Sequence, residues 1–257
     1  MKATGCVVSV LCLALASPAA ADVTLKQKAG GTGFGAAVAG DATQYVKGLK
    51  IRMDQAVGGS PTSTIIDAQG KVMIVLNHAK KEADIHDMTK MAEGLSKIPI
   101  TDIKTSVMPT GQTRQIAGSA CTVYDVKVSV PMQMGNDTLT FVMAGPQCLV
   151  KNGPGAADYA AFYRTAAESG LFFGDPRAAK GMPAQAKGMV EMYRKIAELG
   201  VPFSTEMNVT VEGSGPMAAM MSKMGGNTIT SEVTSVSTDA IPDAIFEVPA
   251  GYKVNKR

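Results

Sequence analysis

The composition of this 257-residue chain is that of an ordinary globular protein, with 46% hydrophobic residues, 18% charged residues and a net charge of +3. This balance excludes a disordered tail. Its lysines and arginines are scattered, so the chain lacks the basic face that binding to nucleic acid requires.

The first 21 residues are typical of a secretory signal peptide. Lys2 supplies a positive charge, residues 7–16 form an apolar run, and small residues precede a cleavage site before Asp22. The run is too short to span a bilayer. Cys6 precedes it, whereas a lipoprotein needs a cysteine just after it. We therefore expect export to the periplasm as a soluble protein, with residues 22–257 forming a single domain.

The first half of the mature chain alternates apolar and polar residues, as β-strands do. Residues 62–67 and 71–76 flank the short segment Ala68-Gln-Gly70 and predict a hairpin. The other predicted strands cover residues 23–28, 43–54, 102–115, 121–130, 137–143, 203–212, 227–237 and 244–253. An antiparallel meander is the simplest topology for them.

Helical periodicity appears in residues 87–95, 158–169 and 184–199. In the last of these, Met189 and Met192 belong to one apolar stripe, and the helix is expected to end before Gly200. Several Gly-Pro and Pro-Gly combinations interrupt residues 151–183. We therefore predict an irregular helical insertion over residues 151–200.

The cysteines predict a disulfide. Cys6 and Cys12 lie in the predicted signal peptide, which leaves Cys121 and Cys148 as the thiols of the mature chain. An exported protein matures where disulfides form, so we expect these two to be bonded. The alternative is a pair of buried free thiols. Closing a loop of this length stabilises a fold by roughly 3–4 kcal/mol in the chain-entropy model.

Four segments, residues 45–54, 63–67, 116–125 and 241–253, together resemble an exported bacterial family known as domain of unknown function 4412. That family is similar to the LolA and LppX group of envelope proteins. The resemblance implies an α+β fold, in which a strongly curved antiparallel sheet forms an open half-barrel over an apolar cavity and helices cover one face. The family brings no accepted catalytic residues, and residues 150–225 match nothing in it.

Methionine offers one candidate metal site. Met217, Met220, Met221 and Met224 place four thioethers within eight residues. Thioethers are soft ligands that select Cu(I). The favoured alternative is apolar packing or the lining of a cavity, for which flexible methionine side chains are well suited.

No pattern in the chain predicts catalysis. His78 and His86 lack the spacing of a zinc motif, and no Gly-x-Ser-x-Gly elbow is present. Residues 30–35 contain four glycines but lack the Lys-Ser/Thr ending of a phosphate loop, so we interpret them as a flexible turn. We predict no catalytic residue and no cofactor.

These observations favour a non-enzymatic periplasmic binding or chaperone-like protein with an apolar cavity for a lipid or another hydrophobic ligand. Two alternatives stay open at this point. One is Cu(I) binding by the methionine cluster, and the other is a structural or interaction protein of the envelope. We expect no nucleic-acid partner and no stable membrane anchor. The sequence does not identify a protein partner.

Overall fold

A twelve-stranded β-sheet dominates the computed structural model, which describes residues 22–96, 103–134, 137–171, 183–223 and 227–257. The predicted signal peptide, residues 1–21, lies outside these ranges and stays a prediction.

The strands follow one another along most of the chain. They are β1 (Val23–Thr32), β2 (Gly40–Lys47), β3 (Lys50–Val57), β4 (Ser60–Asp67), β5 (Val72–Asn77), β6 (Glu82–Asp87), β7 (Lys104–Ile116), β8 (Ser119–Met134), β9 (Asp137–Val150), β10 (Val201–Gly213), β11 (Asn227–Ser237) and β12 (Lys253–Lys256). Their order in the sheet is β12-β6-β5-β4-β3-β2-β1-β11-β10-β9-β8-β7. Neighbouring strands are antiparallel except β12 and β6, which are parallel.

Four α-helices are described: α1 (Thr89–Ser96), α2 (Ala156–Glu168), α3 (Pro183–Leu199) and α4 (Pro216–Lys223). Two short 3-10 helices cover Gly33–Val38 and Asp243–Phe246. The first three α-helices lie where the 3.6-residue periodicity predicts them. Helices α2 and α3 both belong to the predicted insertion, which connects the adjacent strands β9 and β10.

The predicted α+β half-barrel with a helical cover is wrong. The protein is mostly β, with 57% strand and 22% helix, and its sheet is not closed. The strands are longer than their buried residues indicate, which is why the sequence pattern underestimates the strand content. β7 runs for 13 residues although most of its side chains are exposed, because backbone pairing with β8 maintains it without a buried face. Hydrophobic periodicity detects only the buried parts of such strands.

Two predicted strands also differ from the structure. Residues 43–54 were expected to be one strand but form β2 and β3, which are joined by a two-residue turn at Gly48 and Leu49. Gly48 has φ 54°, which glycine adopts without the steric cost that a Cβ brings. The apolar alternation passes through this turn without a break, so the pattern conceals it.

The chain end expected to form a strand over residues 244–253 instead forms the 3-10 helix Asp243–Phe246 and a turn before β12. Pro242 and Pro249 flank the first part, and neither has a backbone N–H to donate to a neighbouring strand. Phe246, Val248 and Tyr252 nevertheless pack together against the sheet.

Three clusters of buried side chains form the core. The first contains Phe162 of α2 and Phe203 of β10, each 1% exposed. In the second, Met192 and Ile196 of α3 pack on the valines of β8. In the third, the C-terminal segment, residues 241–257, packs through Ile241 and Phe246 on β4, β5 and β6. Burial of each large apolar side chain contributes about 1.5–3 kcal/mol.

A glycine brings α3 close to the sheet. A Cβ added at Gly188 would lie 2.5 Å from Cγ2 of Val130 on β8. Glycine in a helix interior costs about 1 kcal/mol relative to alanine. The short distance explains why the chain has glycine here, since it allows the helix to approach the β8 valines.

Candidate functional site

A groove of about 550 Å³ lies along the edge strand β7 of the β7–β8 hairpin, where Lys195 of α3 reaches the strand edge. Its lining residues are Ile103, Lys104, Thr105, Ser106, Lys127, Ser129 and Lys195. We call it the α3–β7 groove. Its volume is within the range of small-molecule sites, about 300–1,000 Å³.

Pairing of β7 with β8 places two lysines and two serines at the corners of a square. Lys104 lies directly opposite Ser129, and Ser106 lies directly opposite Lys127. Residues opposite one another, and residues two apart on a strand, share a face of the sheet. The two lysines are therefore diagonal neighbours on the face of the sheet that points away from α3, because the alternating residues Val126, Val128 and Val130 of β8 pack on α3. The two serines occupy the other diagonal.

Lys195 brings a third ammonium group to the groove from α3. Its Nζ donates to the carbonyl oxygen of Thr105 at 2.9 Å, which fixes the head of this long side chain against the strand edge. The hydroxyl oxygen of Thr105 itself is buried and has no hydrogen-bond partner within the described ranges. An unpaired buried polar group of this kind costs about 1–3 kcal/mol.

A second cavity, of about 170 Å³, lies on the sheet face at β7–β10. Arg114 of β7 lines it, donates to Ser204 of β10 at 3.3 Å, and forms an ion pair of 2.7 Å with Glu232 of β11. Its apolar lining residues are Val123, Pro146 and Cys148. Both described cavities are thus lined mainly by polar side chains, which differs from the apolar cavity expected from the sequence.

The predicted cysteine pair is found in the structure. Cys121 of β8 and Cys148 of β9 form a disulfide with their Cα atoms 5.4 Å apart. Both residues are buried in the core cluster that includes α2. The bond joins two strands that already pair, so it closes a loop without changing the sheet topology.

His78 joins a partly buried polar network that sequence reasoning missed. Its Nε2 lies 2.6 Å from Oγ of Ser63, and its Nδ1 lies 2.6 Å from the hydroxyl of Tyr252. Arg52 donates to the same Ser63 Oγ at 3.0 Å and to the carbonyl oxygen of Ile245 at 2.6 Å. Both ring nitrogens of His78 thus have hydroxyl partners, which hold the ring in place.

This serine–histidine pair is closed to a substrate. Ser63 is 0% exposed, and its oxygen already interacts with Arg52 and His78. The network instead connects the C-terminal segment to the sheet. Its partners are up to 193 residues apart in sequence, so no local motif signals them.

Further contacts hold the same segment. Lys47 of β2 donates to the carbonyl oxygen of Ile241 at 2.6 Å and pairs with Asp243 at 2.9 Å. At the chain end, Asp84 of β6 accepts from the side chains of Asn255 and Arg257. These two donors, Asn255 first, lower the pKa of the Asp84 carboxyl below its usual value.

Three tyrosines lie where α2 and α3 pack on each other. Tyr159 and Tyr163 lie on α2, and Tyr193 of α3 stacks on Tyr163 with 5.4 Å between ring centroids. Burial raises the pKa of all three phenols. They therefore serve as neutral packing and hydrogen-bonding groups between α2 and α3.

The methionine cluster is only partly described. Met217, Met220 and Met221 belong to α4, and Met220 is 52% exposed. Met224 lies outside the described residues. On α3, Met192 is 2% exposed and belongs to the core, as the packing interpretation of the helical stripe expects.

The remaining candidates give no metal site. His86 lies on β6 opposite Met73, away from the partners of His78. In the part of the chain that the structure describes, no three His, Cys, Asp or Glu side chains are grouped to hold a metal ion. None of the helices in these ranges is both long and apolar enough to cross a bilayer.

Residues 30–32 of the glycine-rich segment end β1, and residues 33–35 begin the 3-10 helix Gly33–Val38 that leads to β2. A Cβ at Gly31 or Gly35 would collide with the backbone of Thr228 on β11. These glycines therefore allow close packing on β11, and only the second half of the segment lies in the turn predicted between two early strands.

Comparisons with known proteins add little. No protein-family model matches the chain, and no curated protein matches it in sequence. Among solved structures, it is similar to an uncharacterized conserved protein from Thermus thermophilus, with a TM-score of 0.39 and 8% identity over 93% of this chain and 92% of that one. The resemblance to domain of unknown function 4412 and the LolA-like group stays a prediction.

Proposed function

We propose that this chain is a non-enzymatic binding protein of the periplasm that takes a lipid or another amphiphilic ligand in the α3–β7 groove. The observation that carries the proposal is an open cavity of about 550 Å³ at a sheet edge, beside a helix. Clefts of this size are the usual place for small ligands.

The groove offers both polar and apolar contacts. Ile103, which also packs on the adjoining core cluster, is its apolar lining residue. The lysines and serines supply the polar side, which suits an amphiphile better than a purely apolar molecule.

Two features support location in the envelope. The first 21 residues predict a signal peptide, and the Cys121–Cys148 disulfide is compatible with an oxidising compartment. The non-enzymatic assignment is supported by the hydrogen-bonded pair Ser63 and His78, whose serine is closed to solvent.

Native mass spectrometry and lipid extraction of the protein purified from its own envelope test the proposal. We expect a co-purifying lipid, and binding of a fluorescent fatty acid at micromolar concentration. Ser129→Phe fills the groove and should abolish binding, whereas Ser231→Phe, a partly buried strand serine on β11, should not. Absence of lipid together with absence of probe binding would end the proposal.

The methionine cluster carries a second candidate function, soft-metal binding. Its support is Met220, whose side chain is 52% exposed and so can reach an ion. Anaerobic titration with Cu(I) tests it by comparing the protein with a Met217→Ala, Met220→Ala, Met221→Ala variant. Equal heats from the two proteins would remove this candidate.

A further inference from the structure

We infer that the α3–β7 groove recognises a phosphate group of its ligand through Lys104, Lys127 and Lys195. This inference rests on the proposed binding function and adds the chemistry of the ligand's head. It does not depend on the length or number of the ligand's apolar chains.

The first support is the arrangement of donors. The ladder pairs Lys104 with Ser129 and Lys127 with Ser106, so two ammonium groups and two hydroxyls share one face of β7 and β8. Each ammonium brings three donors and each hydroxyl one. A phosphate group presents several acceptor oxygens, which can take hydrogen bonds from different corners of such a square.

The second support is the position of Lys195. Its stem rises from α3, and its Nζ is held 2.9 Å from the carbonyl oxygen of Thr105, within the groove lining. One hydrogen bond uses one of the three ammonium donors, so two are left for a ligand. A lysine fixed in this way loses less side-chain entropy on binding an anion than a freely moving one.

The third support is the missing counter-charge. Three other lysines of the sheet pair with carboxylates: Lys47 with Asp243 at 2.9 Å, Lys50 with Asp67 at 3.8 Å and Lys253 with Glu82 at 3.9 Å. Within the described ranges, none of the three groove lysines has a carboxylate oxygen within 4.0 Å. Like charges grouped on one surface repel each other, and a bound dianion would remove that repulsion.

Calorimetric titration of the full mature chain tests the inference with three probes. Dihexanoyl phosphatidic acid carries the phosphate and two short chains, dihexanoylglycerol has the same chains without phosphate, and inorganic phosphate has no chains. The variant is Lys104→Gln with Lys127→Gln. The control is Lys26→Gln with Lys28→Gln, which removes the same number of charges from two exposed lysines of β1.

We expect phosphatidic acid to bind and dihexanoylglycerol to bind far more weakly. The groove variant should lose affinity for phosphatidic acid by about 30-fold, and the β1 variant should change it less than twofold. If inorganic phosphate also binds and its binding needs the groove lysines, the free anion is sufficient for recognition by the groove. Binding of the lipid alone would identify a lipid head as the source. All the substituted lysines lie on strands, and thermal melts of both variants check that they fold.

Equal binding of phosphatidic acid and dihexanoylglycerol would overturn the inference while leaving lipid binding in place. So would an equal loss in the two variants, which would indicate attraction to net charge alone. Lysine-dependent binding of inorganic phosphate without any lipid binding would support the inference and contradict the proposed lipid function. Absence of binding by all three probes would overturn both and would leave the lysines as protection of a sheet edge.

Discussion

The guanidinium of Arg114 on β7 lies 2.7 Å from the carboxylate of Glu232 on β11, although β8, β9 and β10 separate the two strands. Strands in a sheet are about 4.8 Å apart, so a flat sheet would hold β7 and β11 about 19 Å from each other. That gap is beyond the reach of these two side chains. This end of the sheet must therefore be strongly curved.

A double-mutant cycle of Arg114→Ala and Glu232→Ala tests this curvature. Both side chains are about half exposed, so we expect a coupling free energy of about 0.2–1 kcal/mol that decreases in high salt. Urea unfolding of the four proteins measures it. Strictly additive effects at low salt would mean that the two residues do not meet in solution.

Gly188→Ala tests the close approach of α3 to the sheet. Alanine is the better helix former by about 1 kcal/mol, yet its Cβ would lie 2.5 Å from Cγ2 of Val130. We expect a net destabilisation of about 1–3 kcal/mol, because the helix must move away from the β8 valines. Chemical denaturation measures the change.

Val130→Ala provides the control for this helix contact. It makes space for the added methyl group, so the cost of Gly188→Ala should be smaller in the Val130→Ala background than in the unmodified protein. A stabilising effect of Gly188→Ala alone would contradict the observed distance.

Tyr252→Phe tests the attachment of the C-terminal segment. The substitution removes the hydroxyl that lies 2.6 Å from Nδ1 of His78 and leaves a partly buried ring nitrogen unpaired. We expect a loss of about 1–3 kcal/mol and faster hydrogen exchange in β12. Tyr124→Phe is the control, because within the described ranges the Tyr124 hydroxyl makes no hydrogen bond. Equal exchange of β12 in both variants would contradict this role.

Acidification should loosen the same segment at its end. The pKa of Asp84 is lowered by the hydrogen bond from Asn255 and then by Arg257, so its charged form is favoured in the folded protein. The charged Asp84 carboxylate therefore stabilises the folded protein at pH values above 3.8, its pKa in the unfolded chain. This stabilisation is lost as the pH falls through the lower pKa that the carboxyl has in the folded protein.

Hydrogen exchange or side-chain NMR of Asn255 between pH 5 and pH 2 measures this loss. In Asp84→Asn the carboxylate is absent, so β12 should be loose at every pH and its remaining pH dependence should be reduced. Unchanged acid loosening in Asp84→Asn would assign the effect to other groups.

Local features of the fold could be predicted from the sequence. The helices near residues 158–169 and 184–199 and the hairpin of β4 and β5 each depend on a pattern within fewer than 20 residues. A hydrogen bond within the chain segment itself stabilises the turn of that hairpin, since the carboxylate of Asp67 accepts from the backbone N–H of Gly70 at 2.7 Å. The disulfide could be predicted because Cys121 and Cys148 are the two cysteines that lie outside the predicted signal peptide.

The features that could not be predicted depend on register and on contacts distant in sequence. Lys104 and Lys127 become neighbours only through the pairing of β7 with β8. His78 meets Tyr252 across 174 residues. The extent of the sheet was also missed, since exposed strands such as β7 carry no alternation of buried residues. A fold class inferred from buried periodicity therefore gives too much weight to the helices.

Chemical-shift mapping on residues 22–257 tests directly whether the α3–β7 groove binds a phosphate-bearing lipid. Amide spectra of the ¹⁵N-labelled protein would be recorded during addition of dihexanoyl phosphatidic acid. We expect the largest saturable shifts on Lys104, Ser106, Lys127, Ser129 and Lys195. Saturable shifts confined to α4, or to the cavity beside Arg114, would contradict this expectation.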